Sequence, residues 1–276
     1  MKEISVKTPA KINFGLNVIN KREDGYHNIE TIFYPINLFD EISFRKSDKT
    51  NLSCSSNELI TNDNLILKAV QLLEKNTGKY LNVEIELIKN IPVGAGLGGG
   101  SSDGAAALKA LNNLFDLNLE KYALLDFALQ LGSDVPFFID PAPVYAISRG
   151  EIMRKINFRI SYPLLIVNPG IHISTKWAFA NIRQEKENQN LFEIVSKEYD
   201  FYKYKNIVKN SFEEKVFAEY PEIKSIKEIM YSEGALFSLM TGTGSTVYGI
   251  FSDLHSAQKT ERLFNEKYFT FIQTAS

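Results

Sequence analysis

Residues 91 to 108 read Ile-Pro-Val-Gly-Ala-Gly-Leu-Gly-Gly-Gly-Ser-Ser-Asp-Gly-Ala-Ala-Ala-Leu. Six glycines fall between positions 94 and 104. Glycine brings no side chain to a core and loses more chain entropy on folding than any other residue, so the run reads as backbone freed to approach a ligand. Ser101, Ser102 and Asp103 precede Ala105, Ala106, Ala107 and Leu108, as N-cap residues precede strong helix formers. Loop and helix start together bring unpaired N–H groups and the positive end of a helix dipole to one point. Both favour an anion such as a phosphate.

Spacing separates the phosphate-binding loops this run could be. Gly94, Gly96 and Gly99 satisfy G-x-G-x-x-G, but a dinucleotide site also needs a second strand ending in an acidic residue about 20 residues on. Leu119 to Leu131 has a helical pattern instead, which argues against that fold. Gly94 and Gly99 have the separation of a P-loop, yet Gly100 stands where lysine is required. A flexible linker is disfavoured by the apolar strand and the alanine-rich helix on either side.

The chain of 276 residues can bury a sizeable core in one large or two smaller domains. Its hydrophobic fraction of 44% and charged fraction of 23% are those of a soluble globular protein. With a net charge of −2 and no basic run, nucleic acid is not an expected partner. No stretch approaches the roughly 18 apolar residues of a membrane span, and Met1 to Ser5 carries no signal-peptide core. A single cysteine, Cys54, excludes an intrachain disulfide and a cysteine-based zinc cluster. A cytoplasmic protein acting on small molecules is expected.

Working outward, residues 11 to 18 alternate. Ile12, Phe14, Leu16 and Val18 face one way and Lys11, Asn13, Gly15 and Asn17 the other, as in a half-buried strand whose polar face is solvated. Asp24-Gly25 is a turn, and the Tyr26-His27 that follow it read from the residues alone as strand-edge packing. Thr61-Asn62-Asp63 can cap a helix from about Asn64 to Lys75, with Gly78 just past its end, and Asn64 itself has a plain reading as a capping residue. Residues 80 to 88 alternate as a strand. Asp134, among the apolar residues of Ser133 to Phe138, is either a turn or capping residue or a functional carboxylate. Periodicity is lost around 150 to 158, which places a boundary between about 150 and 160.

Further on, Tyr162 to Val167 is an apolar strand, Thr175 to Ile182 a short helix and 184 to 190 an exposed loop. Ser211 to Tyr220 and Pro221 to Ser232 are helical. Leu236 to Met240 and Val247 to Phe251 form a hairpin around Thr241-Gly242-Thr243-Gly244-Ser245-Thr246. Ser256 to Lys267 is a last helix and Phe269 to Gln273 a closing strand.

Pro92-Val93-Gly94-Ala95-Gly96-Leu97-Gly98-Gly99-Gly100-Ser101-Ser102-Asp103 resembles the phosphate-binding motif of the GHMP kinases. Pro9-Ala10-Lys11-Ile12-Asn13, Tyr26-His27, Gly132-Ser133-Asp134-Val135-Pro136-Phe137-Phe138 and Thr241-Gly242-Thr243-Gly244-Ser245 resemble, in the same order, the motifs of a branch acting on a cytidine diphospho sugar alcohol. The resemblance implies an α+β fold of two domains: a nucleotide-binding N-terminal domain over 1–155 and a ferredoxin-like C-terminal domain over 156–276. It also implies phosphoryl transfer from ATP with Mg²⁺, for which no protein ligand stands out. ATP would meet Pro92 to Ser102, with Asn64 near adenine. Asp134 would be the catalytic base, and Lys11 would lie beside it and the acceptor hydroxyl. Asn13, Gly242, Thr243 and Gly244 would contact substrate. Tyr26, His27 and Phe179 would hold cytosine, with Trp177 an alternative to Phe179. A mevalonate- or homoserine-type acceptor, or a non-catalytic sensor on the same fold, is the competing reading.

Overall fold

The alternation around Lys11 is the middle of a 19-residue strand, β1 (Glu3–Lys21), which turns at Asp24-Gly25 into β2 (His27–Lys46). This computed structural model describes residues 3–182, 190–197 and 200–275. The loop expected over 184–190 lies outside the described residues apart from Asn190. After β2 come β3 (Asn51–Cys54), α1 (Leu65–Thr77), β4 (Val83–Ile88), α2 (Gly99–Leu114), α3 (Lys121–Leu131), a 3₁₀ turn (Val135–Ile139), β5 (Val144–Ser148), β6 (Ile152–Lys155) and β7 (Leu164–Asn168). The rest of the chain forms α4 (Thr175–Ala180), α5 (Leu191–Lys197), α6 (Phe201–Tyr204), α7 (Glu213–Glu219), α8 (Pro221–Ser232), β8 (Phe237–Met240), β9 (Val247–Ile250), α9 (Leu254–Glu261) and β10 (Phe269–Gln273).

These elements gather into two interleaved compact units. One comprises the chain up to Ala10, Asn37–Val93 and Gly98–Pro141; the other comprises Lys11–Ile36, Gly94–Leu97 and the chain from Ala142 on. The expected domains, 1–155 and 156–276, cut the sequence once, whereas the chain passes between the units several times.

In the first unit, the end of β2 (Glu41–Lys46) pairs antiparallel with β4, and β3 runs parallel to β4. Val83, Ile85 and Leu87 of β4 are buried as the alternation requires. Helix α1 is bounded at both ends by its sequence. The cap is Asn64 itself and not Thr61-Asn62-Asp63, because its Oδ1 accepts from Ile66 N and the helix begins at Leu65; Gly78 closes the helix in the left-handed conformation. Its buried stripe of Ile66, Ala69, Val70 and Leu73 faces the core. A Cβ at Gly104 would come within 3.0 Å of Leu65 Cβ. This glycine of the run therefore serves close packing of α2 on α1, contrary to the reading that none of the six packs a core.

The second unit carries an antiparallel sheet in the order β10-β7-β9-β8. Helices α4 to α8 separate β7 from β8, and α9 separates β9 from β10. This is the β-α-β-β-α-β order of a ferredoxin-like unit, as expected. Pro221 opens α8, where its missing N–H is not needed. Ile223, Ile226 and Met230 of that helix join Leu165, Val167, Phe212 and Val247 in the core. Within the same unit, Ile29–Phe33 of β2 pairs with β5, and β5 with β6. Phe14 packs between the rings of Phe158 and Phe237, at centroid distances of 4.8 and 5.0 Å.

Three local expectations change. Helix α2 starts at Gly99 with Gly98 as its N-cap, so Ser101, Ser102 and Asp103 lie inside the helix instead of capping it. The polar face of β1 is not solvated: Lys11 is 3% exposed, Asn13 1% and Asn17 6%. Neighbouring elements cover both faces of β1 there, which alternation within one strand cannot reveal. The last helix runs from Leu254 to Glu261, because Asp253 caps it by accepting from Ser256 N; hydrogen-bonded turns follow to Tyr268.

Asp103 is committed to a buried charge cluster in the first unit. Lys89 Nζ bonds both Asp40 Oδ2 and Asp103 Oδ2, the latter at 2.9 Å, and Thr8 Oγ1 donates to Asp103 Oδ1 at 2.8 Å. Asp40 Oδ1 accepts from Asn90 N and Ile91 N at 2.6 and 2.8 Å. The cluster ties the strand entering the glycine run to the helix leaving it. Two carboxylates share one ammonium. Burial is the first cause that pushes the Asp103 carboxyl up, to about 6; Lys89 opposes the rise and Asp40 adds to it.

This folded-state value lies above that of the unfolded chain, so the group's contribution to stability is fully present below about pH 4 and lost as pH rises through about 6. The variant Asp103→Asn should flatten the fall in urea midpoint across that window. An unchanged slope would assign the pH dependence to other groups.

Candidate active site

The glycine run meets the two units differently. In the first, Gly98 takes a positive φ of 74° and caps the 16-residue α2 without any side-chain hydrogen bond, so the N-cap residue leaves the first amides of the helix unclaimed. Such an end is electrostatically suited to an anion. The Ser102 hydroxyl is buried at the end of the first turn and has no hydrogen-bond partner among the described residues. An orphaned buried hydroxyl costs about 1–3 kcal/mol, which a ligand oxygen would relieve. Pro92 and Val93 lead into the loop, with Val93 half exposed, and Gly100 and Ser101 lie on the uncovered side of the helix start.

Asn64 holds α1 through its side chain and also donates to Leu59 O at 2.9 Å, which confirms its capping role. Asp134 occupies the position before the 3₁₀ turn, but its side chain makes no cap. Capping is thereby removed from the two readings of Asp134. It is half-buried and followed by the fully buried Val135 to Ile139.

In the second unit, Gly94 to Leu97 lies against the hairpin loop between β8 and β9. A Cβ at Gly96 would overlap Thr241 O, so the two backbones touch only because position 96 has no side chain. Thr241, fully buried, connects three expected site segments through one hydroxyl. Its Oγ1 accepts from Asn13 N at 2.9 Å and lies 3.3 Å from both Gly96 O and Asn13 Oδ1. Lys11 N donates to Leu97 O at 2.9 Å. Lys11 Nζ donates to Asn13 Oδ1 at 2.6 Å and stands 5.1 Å from the centre of the Phe33 ring, and Asn13 Nδ2 donates to Thr31 Oγ1 at 2.9 Å. Lys11, Asn13, Gly94 to Leu97 and the loop carrying Gly242, Thr243 and Gly244 are thus brought together.

The aromatic residues form another group in this unit. His27 stacks on Phe179, with ring centres 5.0 Å apart and planes 26° from parallel. Trp177 packs edge-on against Tyr220 instead. Tyr26 is 53% exposed, with the Arg149 guanidinium over its ring at 4.9 Å. Burial, and then the charge of Lys21, hold the His27 imidazole below its ordinary value. It is therefore neutral near pH 7, with one ring nitrogen donating and the other accepting.

Several residues were not singled out from sequence. Thr241 heads a Gly-rich hairpin loop that was legible, but nothing local marks its bridging hydroxyl. Asn210, Lys89, Arg149 and His172, whose ring lies against Gly94, come from stretches without motif character. Among the described residues no group of three or more His, Cys, Asp or Glu could hold a metal ion. No helix there is long and apolar enough to cross a membrane.

An anion-ready helix end in the first unit and, within the second, a buried lysine and amide held to Gly94–Leu97 are each the kind of part that a small-molecule phosphotransferase uses. The family model of the GHMP kinases N terminal domain matches residues 64–140, and that of the GHMP kinases C terminal matches residues 186–269. The chain is 40% identical to the 4-diphosphocytidyl-2-C-methyl-D-erythritol kinase of Chlorobium phaeobacteroides (strain BS1), covering 97% of this chain and 96% of that one. It is 41% identical to the enzyme of the same name from Bacteroides thetaiotaomicron, over 91% and 93%. A crystal structure of 4-(cytidine 5'-diphospho)-2C-methyl-D-erythritol kinase superposes with a TM-score of 0.83 at 30% identity, covering 98% of each chain. The chain belongs to the GHMP kinases, and within them to the 4-diphosphocytidyl-2-C-methyl-D-erythritol kinases.

The bridging role of Thr241 is open to test. Thr241→Val keeps its shape but leaves Asn13 N without an acceptor, and should lower unfolding free energy by about 1–3 kcal/mol in urea. Wild-type stability in that variant would show that the hydroxyl is not needed to hold β1 to the hairpin.

Proposed function

We propose that the protein transfers the γ-phosphoryl group of ATP to the 2-hydroxyl of 4-diphosphocytidyl-2-C-methyl-D-erythritol, a step of the non-mevalonate isoprenoid pathway, in the cytoplasm. The observation that carries this reading is identity of 40% across nearly the full length of a relative bearing that enzyme's name. The site residues are consistent with it. The two family models, at 64–140 and 186–269, are compatible with our assignment of the family's domains to 1–155 and 156–276.

Phosphoryl transfer asks a protein mainly for alignment and charge stabilisation. In this reading Pro92 to Ser102 receives the ATP phosphates, with the amides at the start of α2 facing their charge and Asn64 near adenine. Tyr26 and Phe179 offer flat faces to cytosine, which stacking accepts without regard to base identity. The neutral His27 reads the polar edge of the base through hydrogen bonds. Asn13 and Gly242 to Gly244 orient the acceptor and phosphates. Asp134 takes or orients the proton of the acceptor hydroxyl, and Lys11 supplies positive charge toward the developing alkoxide. Mg²⁺, when bound, neutralises phosphate oxygens; the orphaned Ser102 hydroxyl is the group of this chain that fits a place beside them.

The test of function is ADP release from ATP and Mg²⁺ with the diphosphocytidyl acceptor, run beside mevalonate, homoserine and galactose. Turnover with the cytidyl acceptor alone supports the assignment. Turnover with another acceptor would discard the cytosine pocket, and silence with all four would favour a ligand sensor. Asp134→Asn should retain ATP affinity and lower kcat by about 10²-fold or more; near-normal turnover would remove Asp134 as the base. His27→Ala and Phe179→Ala should each raise the KM of the acceptor far more than that of ATP, with Trp177→Ala close to wild type. Equal effects on both substrates would sink the cytosine assignment.

A further inference from the structure

A loop of the sequence Thr-Gly-Thr-Gly-Ser has little stiffness of its own, so its conformation must be imposed by neighbours. Two side chains from residues 210–213, the buried Asn210 and the partly buried Glu213 that opens α7, supply that constraint. Asn210 is 3% exposed, and its Nδ2 donates to Met240 O at 2.7 Å and to Gly242 O at 2.8 Å. Its Oδ1 accepts from Phe212 N at 3.0 Å, so the amide uses both donors and its acceptor. Glu213 Oε1 accepts from Met240 N at 2.9 Å, while Oε2 pairs with Lys227 at 2.6 Å. Both main-chain groups of Met240 and the carbonyl of Gly242 are therefore gripped from one segment.

That segment is itself anchored. Leu16 N donates to Lys209 O at 2.9 Å, Ser211 N to Leu16 O at 2.8 Å, and Val18 N to Ser211 Oγ at 3.0 Å. These bonds fix residues 209 to 211 to β1, the strand that carries Lys11 and Asn13. On its other side, the Phe212 ring meets Phe179 edge-on at 4.9 Å, and Phe179 in turn stacks on His27. One short segment thus touches the support of the hairpin loop, the strand of Lys11 and the aromatic pair.

We propose that Asn210, assisted by Glu213, is a positioning residue that sets the Thr241–Gly244 loop in register with β1 and with the glycine run packed on it at Gly96. The inference rests on the reading that this loop faces substrate and phosphates. Neither residue touches substrate; each acts through backbone groups of the loop. A misplaced loop would lose alignment, on which phosphoryl transfer depends more than on any single reactive group.

The experiment pairs steady-state kinetics with amide hydrogen exchange. Asn210→Asp keeps the size of the side chain but sets acceptors against two carbonyls. It should lower kcat per folded enzyme by about 10-fold or more and speed exchange in residues 240–246 and 94–97, with β10 unchanged. Glu213→Gln, which retains an oxygen for Met240 N, should lose less activity than Glu213→Ala. If Asn210→Asp fails to fold, Asn210→Ser, which keeps a single donor, should move both readouts in the same direction by a smaller amount. Folded Asn210 variants with kcat within about twofold of wild type and unchanged exchange at 240–246 would overturn the proposal. Wild-type turnover separates the two levels. An enzyme silent toward the cytidyl acceptor defeats the functional reading, while the exchange data still decide the positioning role.

Discussion

The approach of Gly96 to Thr241 is the constraint on which the second unit's site depends. Two backbones from distant parts of the chain touch where a single methyl group would overlap the Thr241 carbonyl oxygen. Once they touch, a set of otherwise weak contacts becomes mutually consistent. The Thr241 hydroxyl reaches Asn13 and Gly96, the Leu97 carbonyl accepts from Lys11 N, and the Ala95 carbonyl lies 3.4 Å from Thr246 N. Each neutral hydrogen bond contributes only about 1 kcal/mol net. Together they give Lys11 and Asn13 one geometry, because moving any partner breaks bonds in the others.

The first unit secures the flanks of the glycine run by other means. Lys89, Asp40, Asp103 and Thr8 join the residues entering the loop to the helix leaving it. Taking charges out of water is costly, and a buried ion pair is weak evidence for stability. Its value here is geometric. Removing one partner leaves an uncompensated buried charge, so the ends of the loop cannot drift apart cheaply. A glycine-rich segment gains defined ends this way while its middle keeps the backbone freedom of glycine.

The aromatic pair shows how packing tunes an imidazole. His27 packs on Phe179, and Phe179 leans on Phe212, which removes part of the imidazole from water and holds its pKa down. A neutral ring with one donor and one acceptor can match a base edge; an imidazolium offers donors only. Tyr26 is 53% exposed, with the Arg149 guanidinium over its ring.

The sequence by itself determined the element order and the motifs. Alternation, caps and turn residues act over a few positions, so α1 between Asn64 and Gly78, the Pro221 helix start, the β8–β9 hairpin and the anion-ready loop could all be read locally. The α+β class and the family followed from motifs in fixed order. Tertiary structure alone decided the rest. Helix α2 starts at Gly99 after Gly98 takes a positive φ, and Asp103 inside it is held by Lys89 and Asp40 instead of capping the helix. The polar face of β1 is buried because neighbouring elements cover it, and strand periodicity reports a strand's two faces without saying what covers each. Phe179, not Trp177, meets His27 because Trp177 is taken up by Tyr220. Asn210 and Thr241 act through main-chain groups of other segments, and a hydrogen bond to a backbone atom leaves no signature in the sequence of its partner.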